Sequence, residues 1–123
     1  MIKHKYIHDS TFEFEAGGSI EGLEIAYHTS ERQWQEGDTR KVIWICHALT
    51  ANSNPQEWWP ELVGPGKLFD TEKYFVICVN MLGSPYGSSG PSSINPDTGR
   101  PYYFDFPLIT VRDIVKANDL VRR

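Results

Sequence analysis

The chain is poor in three things, and each shortage excludes a class of protein. Cysteine occurs only twice in 123 residues, as Cys46 and Cys78, each inside an apolar, β-branched run. A disulfide-stapled secreted scaffold needs a denser set, so the pair reads as two buried, reduced thiols acting as small hydrophobes. Long apolar runs are missing too: none approaches the roughly 18–20 residues that a membrane-crossing helix needs. The opening Met1-Ile2-Lys3-His4-Lys5-Tyr6 leads into polar residues, not into the apolar stretch of a signal peptide. These features predict a cytoplasmic location. Finally, there is no excess of positive charge. Twelve Lys and Arg stand against 16 Asp and Glu, a net charge of −4. The basic clusters are short (Arg40-Lys41 and Arg122-Arg123). Phosphate neutralisation needs clustered cations, so nucleic acid is not expected as a partner, and the lack of a long apolar run argues likewise against a membrane.

What is present belongs to a folded domain. The chain is long enough for a core, and 40% apolar with 13% aromatic residues is richer than disordered chains are. Thr11-Phe12-Glu13-Phe14-Glu15 alternates polar and aromatic, as a half-buried strand does. Ala16-Gly17-Gly18-Ser19 breaks it. Leu23 to Thr29 alternates again and reads as the return strand of a hairpin-like pair. The polar stretch from Ser30 to Arg40 is a loop. Val42-Ile43-Trp44-Ile45-Cys46 and Tyr74-Phe75-Val76-Ile77-Cys78-Val79 are then continuously apolar, the pattern of parallel strands covered on both faces. Parallel strands need a crossover, and Glu57 to Val63, closed by Gly64-Pro65-Gly66, reads as a short helix supplying it. Met81 to Pro107 is rich in Gly, Pro, Ser and Asn without periodicity; a loop this long is usually functional. Thr110 then caps a helix, with Asp113 placed to reach back to the cap N–H. Ile114, Val115, Ala117, Leu120 and Val121 give that helix an apolar face. This order predicts an α/β protein: an antiparallel first pair leading into a mostly parallel sheet.

The segments His47-Ala48-Leu49-Thr50 and Asn80-Met81-Leu82-Gly83 follow the two apolar strands. They therefore fall at the carboxyl edge of a parallel sheet, where open α/β sheets bind ligands. Several segments in order now carry a resemblance. They are His47-Ala48-Leu49-Thr50, Trp58-Trp59, Val63-Gly64-Pro65-Gly66-Lys67, Asp70-Thr71, Asn80-Met81-Leu82-Gly83, Gly90-Pro91-Ser92-Ser93-Ile94-Asn95-Pro96 and Phe106-Pro107-Leu108-Ile109-Thr110-Val111-Arg112-Asp113. Together they resemble the homoserine O-acetyltransferase family, over about Phe12 to Lys116. The joint occurrence of Gly-Pro-Ser-Ser-Ile-Asn-Pro and Ile-Thr-Val-Arg-Asp after His-Ala-Leu-Thr is the specific part.

The resemblance implies the N-terminal portion of an α/β-hydrolase fold, with residues 1–123 as part of one domain that stops before its nucleophile elbow. It implies acyl transfer from acetyl-CoA, a substrate, to L-homoserine in methionine synthesis, through an acyl-serine intermediate, with no cofactor and in a homodimer. No Gly-x-Ser-x-Gly occurs in the 123 residues, so the catalytic triad is not expected here and the chain alone is expected to be inactive. In such folds one oxyanion donor comes from the loop after the third strand. That assigns the backbone N–H of Leu49 as a donor, with Ala48, Thr50, Asn80 and Gly83 as substrate-binding candidates. Rival readings are another α/β-hydrolase, namely an esterase or a serine or homoserine O-succinyltransferase, and a non-catalytic interaction module.

Simpler readings stand beside these. The His47 imidazole braces the loop and does not act as a base. His4, His8 and His28 are surface or strand-end residues whose spacing suggests no metal site. Trp58-Trp59 is core packing. Gly64-Pro65-Gly66-Lys67 lacks the spacing of a phosphate loop and is a turn. Asn80, Gly83, Gly87 and Gly90 either line an acyl site or serve loop geometry. Arg112 with Asp113 is a helix-start charge pair, with substrate-carboxylate binding by Arg112 as the alternative. One departure from the family pattern is local. Many members continue His-Ala-Leu-Thr with Gly-Asp-Ala-His, where this chain has Ala51-Asn52-Ser53-Asn54.

Overall fold

β-branched and aromatic residues favour extended backbone, and in the computed structural model, which describes residues 1–123, they make up most of the strands. The elements are β1 (Ile2–Ile7), β2 (Phe12–Glu13), β3 (Ser19–Ile20), β4 (Glu24–Thr29), β5 (Val42–Ile45), α1 (Pro55–Trp58), β6 (Phe75–Val79), β7 (Ile94–Asn95), β8 (Arg100–Pro101) and α2 (Val111–Arg122). They fall into two units, Met1–His4 with Ala26–Val79, and Lys5–Ile25 with Asn80–Arg123.

The first unit holds most of the four-stranded sheet, whose order is β1-β4-β6-β5. β6 runs parallel to β5, with Val42 opposite Phe75 and Ile45 opposite Cys78. It runs antiparallel to β4, with His28 opposite Cys78. The strand over residues 2–7 was not expected: Ile2-Lys3-His4-Lys5-Tyr6-Ile7 carries too few apolar residues to show a period. The hairpin pairing is also different. β2 pairs with β3, Phe12 opposite Ile20, because Gly17 and Gly18 (φ +102° and +83°) turn the chain within a few residues of Phe14. β4 is thereby left to join the sheet.

β6 meets the expectation of a strand covered on both faces, with Val76 to Val79 all buried. β5 does not. Val42 is 52% exposed and Ile43 and Trp44 are only half-buried, because β5 has a neighbour on one side only. Cys46 is exposed, which corrects the reading of two buried thiols; both cysteines are free. Ile45 and Cys78 face each other in the ladder, so the next residue, Cys46, points to the opposite face. Burial pushes the Cys78 thiol up to about 12.

The crossover contains less helix than expected. α1 is one turn, Pro55–Trp58. Pro60 has no N–H and disfavours helical backbone at Trp59, which sits at φ −128°, ψ 52°. The chain continues through turns to a bridge between Val63 and Phe69. Ile45, Val63, Val76 and Cys78 form the core there, with Trp58, Leu62, Phe69 and Tyr74 packed on it.

In the second unit Phe14 packs edge-on against Phe12 and Phe106, at 5.1 and 5.8 Å between ring centres. The long loop is not featureless. β7 and β8 pair as a small hairpin, Ile94 opposite Pro101, its turn closed by the Gly99 N–H on the Asn95 carbonyl at 2.8 Å. α2 begins with the expected capping box, in which Thr110 and Asp113 each bond the other's backbone N–H. Asp113 Oδ1 also accepts from the Glu15 N–H at 2.9 Å.

Two outcomes follow. The Phe75 N–H donates to the Lys41 carbonyl at 3.0 Å, so alternation turns the N–H and C=O of Val42 and Trp44 toward the open side of β5. An apolar edge of this kind pairs with other chains, so light scattering should give masses above 14.1 kDa that rise with concentration. Val42→Lys, at an exposed position, should lower them. For α2, Asp113→Ala should cost about 1–2 kcal/mol in urea unfolding, because it removes one arm of the capping box and leaves the part-buried N–H groups of Thr110 and Glu15 without their acceptor. Burial raises the Asp113 pKa, but the hydrogen bonds from Thr110 and Glu15 outweigh it and leave it below 3.8. Its contribution is therefore complete above 3.8 and is lost as the pH falls through the folded value.

Candidate functional site

The residues between β5 and α1 form the most exposed ordered segment at the carboxyl edge of the parallel pair. The Ala51 N–H donates to the Ala48 carbonyl at 2.9 Å, which closes a β-turn with Leu49 and Thr50 at its centre. Ala48, Leu49 and Thr50 are exposed, Leu49 at 94%, and the Leu49 N–H is not used in any backbone hydrogen bond. An N–H presented in this way can donate to a charged oxygen that arrives from solvent.

The exposed turn is held at both ends. At its start, His47 is buried and its Nδ1 lies 2.8 Å from the Ala48 carbonyl, so the imidazole contacts the turn itself, as a brace would. At its far end Ser53, 2% exposed, has its Oγ 2.9 Å from His28 Nδ1. The Asn54 N–H donates to Asn52 Oδ1 at 2.7 Å, and the Trp58 indole N–H donates to the Asn52 carbonyl at 3.0 Å. Glu57 accepts from the side chains of Asn52 and Asn54, and these bonds hold its carboxyl below the usual range. Ala51-Asn52-Ser53-Asn54 thus has a hydrogen-bond pattern of its own.

His28 is therefore not a simple strand-end residue. Burial first, then the positive charge of Lys3, lowers its pKa from 6.5. His4 is likewise engaged, its Nε2 2.8 Å from Thr29 Oγ1 and its ring stacked on Tyr27, and His8 Nδ1 lies 3.1 Å from the Tyr6 hydroxyl. The strand alternation of His28 and the Asn-Ser-Asn-Pro run were the available signals for this cluster; the pairing of His28 with Ser53 left no local trace. No group of three His, Cys, Asp or Glu is placed to hold a metal ion.

Asn80 and Gly83 belong to the second unit. Asn80 is fully buried, its carbonyl accepting from the Ser88 hydroxyl at 2.6 Å. Gly83 has φ +89°, and a Cβ there would lie 2.6 Å from Ile109 Cδ1; one at Gly90 would lie 2.9 Å from the Gly83 carbonyl oxygen. The positive φ favours glycine at position 83, and the close approach of the Gly83 backbone favours it at position 90. Trp58 packs on the core, whereas Trp59 is 42% exposed and stacks on Phe69. Gly64 to Lys67 is a turn, with the Lys67 N–H on the Gly64 carbonyl at 3.2 Å. Arg112 pairs with Glu15 at 2.5 Å and is 85% exposed, while the carboxylate of Asp113 is taken up by the cap.

A sheet ordered β1-β4-β6-β5, with a parallel pair and an exposed turn after β5, is the opening arrangement of the α/β-hydrolase class. The comparisons agree. The structure aligns over 98% of its length with 36% of the chain of esterase E22, with a TM-score of 0.79 and 29% identity. It aligns over 98% of its length with 35% of a homoserine O-acetyltransferase from Bacillus anthracis, with a TM-score of 0.78 and 34% identity. No family model matches. In sequence the chain is homologous to the homoserine O-acetyltransferases. It is 43% identical to the one from Cyclobacterium marinum over 122 residues, 99% of this chain. The chain spans about a third of the length of the curated relatives it matches (34% of that protein).

Proposed function

We propose that this chain supplies the first oxyanion donor of a homoserine O-acetyltransferase, a transferase acting in methionine biosynthesis in the cytoplasm. The reading is carried by one observation: a chain homologous to these enzymes presents the Leu49 N–H, with no backbone acceptor, on an exposed turn after β5. In the reaction a serine oxygen attacks the acetyl-CoA carbonyl. The C–O bond forms as the base takes the serine proton, the carbonyl oxygen becomes an oxyanion, and collapse breaks the C–S bond and expels the CoA thiolate, which takes up that proton. The homoserine hydroxyl then attacks the acyl-serine, and the serine leaves with a proton. A backbone N–H aimed at the oxyanion stabilises both tetrahedral intermediates. The serine, acid and base come from the part of the relatives' length that this chain does not span. The working assembly is a homodimer, acetyl-CoA enters as a substrate, and no separate cofactor takes part.

The match to esterase E22 supports a second reading, ester hydrolysis on the same scaffold. Two chimeras separate them, one in which this chain replaces the matched third of the Cyclobacterium marinum enzyme and one in which it replaces the matched third of esterase E22. The first is expected to keep acetylation of homoserine by acetyl-CoA and the second to lose ester hydrolysis; the reverse would favour the esterase. In the first chimera Leu49→Pro should lower kcat roughly a hundredfold or more, since it deletes one donor, with folding checked by circular dichroism. Leu49→Ala keeps the N–H and should be far milder, and equal effects would remove Leu49 from the role. The 123-residue chain alone should release no CoA from acetyl-CoA and homoserine above background. Its intact mass should show no acetyl adduct.

A further inference from the structure

Ala48, Leu49 and Thr50 are exposed, so the two ends of the turn decide where the Leu49 N–H points. One end is held by His47, within the segment itself. The other is held from the sheet. Ser53 Oγ meets His28 Nδ1 at 2.9 Å, and β4 fixes His28 opposite Cys78 of β6. Ser53 occupies the position of the alanine in the Gly-Asp-Ala-His pattern that the family resemblance supplies. An alanine has no hydroxyl, so this link is a feature of the present chain. We infer that His28, acting through Ser53, is a pH-responsive positioning residue for the Ala48–Ala51 turn; its catalytic meaning rests on the role proposed for Leu49.

The charges around His28 set the direction of the response. Burial opposes its cationic form, as do Lys3 and His4 of β1 and the Met1 ammonium, while Glu57 of α1 favours it. The net result is a folded pKa below 6.5. The unfolded chain therefore takes up the proton first, and the stability that neutral His28 gives the latch is lost as the pH falls below 6.5 toward the folded value. Protonation also changes the bond. Where the Ser53 hydroxyl donates to Nδ1, it loses that acceptor in a site only 2% exposed, and a buried donor left without a partner is costly. His28→Asn places an amide near the Nδ1 position without a titrating group.

Hydrogen exchange of the whole 123-residue chain, read by mass spectrometry at pH 7.5 and 5.5 and corrected for intrinsic rates, tests this. The Ala51 and Asn54 amides should exchange roughly tenfold faster at the lower pH, the loss of about one hydrogen bond. The midpoint should coincide with His28 titration, followed by exchange of its ring C2 hydrogen in the same samples. Ser53→Ala should exchange fast at both pH values, Ser53→Thr should restore the original behaviour, and His28→Asn should stay protected at both. Segment protection that ignores His28 titration, or Ser53→Ala that matches the parent, would overturn the inference. If Ser53→Ala also loses protection in β6, the His28→Asn arm decides: pH-dependent protection in that variant overturns it. None of these readouts involves turnover, so failure of the Leu49 comparison and failure of the latch are distinguishable.

Discussion

The fold of the first unit depends on β6 being paired on both sides. Its parallel ladder with β5 and its antiparallel ladder with β4 overlap at two residues: Ile77, opposite Trp44 and Thr29, and Cys78, opposite Ile45 and His28. Burial of Val76 to Val79 removes water from both faces, and Ser30, itself buried, closes the start of the strand. Its Oγ accepts the Val76 N–H at 2.8 Å and donates to the Tyr74 carbonyl at 3.2 Å. A slip of one residue would turn Cys78 out of the core and exchange the faces of every neighbour. The same register aligns the carboxyl ends of β5 and β6, which gives the turn after β5 its place, and seats His28 where it can reach Ser53.

A second anchor lies in the polar stretch before β5. Arg40 bonds Asp38 through Nε and Nη2, donates to the carbonyls of Arg32 and Gln33 at 3.0 Å, and lies 5.5 Å from the centre of the Phe75 ring. Its hydrogen bonds hold the Asp38 carboxyl at about 2. The sequence shows only a polar loop here. The physical content is a guanidinium that satisfies two backbone carbonyls and one carboxylate while covering an aromatic face. Such a loop enters β5 along a fixed path even though it contains no regular structure.

The parts of the fold legible in the sequence were those written in local patterns. The apolar runs gave β5 and β6, Thr110 with Asp113 gave the start of α2, and Gly64 to Gly66 gave a turn. β1 was not legible, because it has little apolar signal and its neighbour in the sheet is β4, some 20 residues away in sequence. α1 is shorter than the apolar residues from Trp58 to Val63 suggest, because Pro60 ends it. The turn at Leu49 could be placed from the family resemblance and from its position after a strand. What holds it could not. The bond from His28 to Ser53 joins residues 25 apart, and neither residue type implies the other.

Native-state hydrogen exchange of the folded chain measures the central claim, that β6 organises the sheet, most directly. The amides of Val76 to Val79 should be the slowest in the first unit and should exchange only with global unfolding, while those of Leu49 and Thr50 should exchange at nearly unprotected rates. β6 amides that exchange as fast as those of the Ala48–Ala51 turn would contradict the account, because a sheet without a protected central strand could not hold that turn in place.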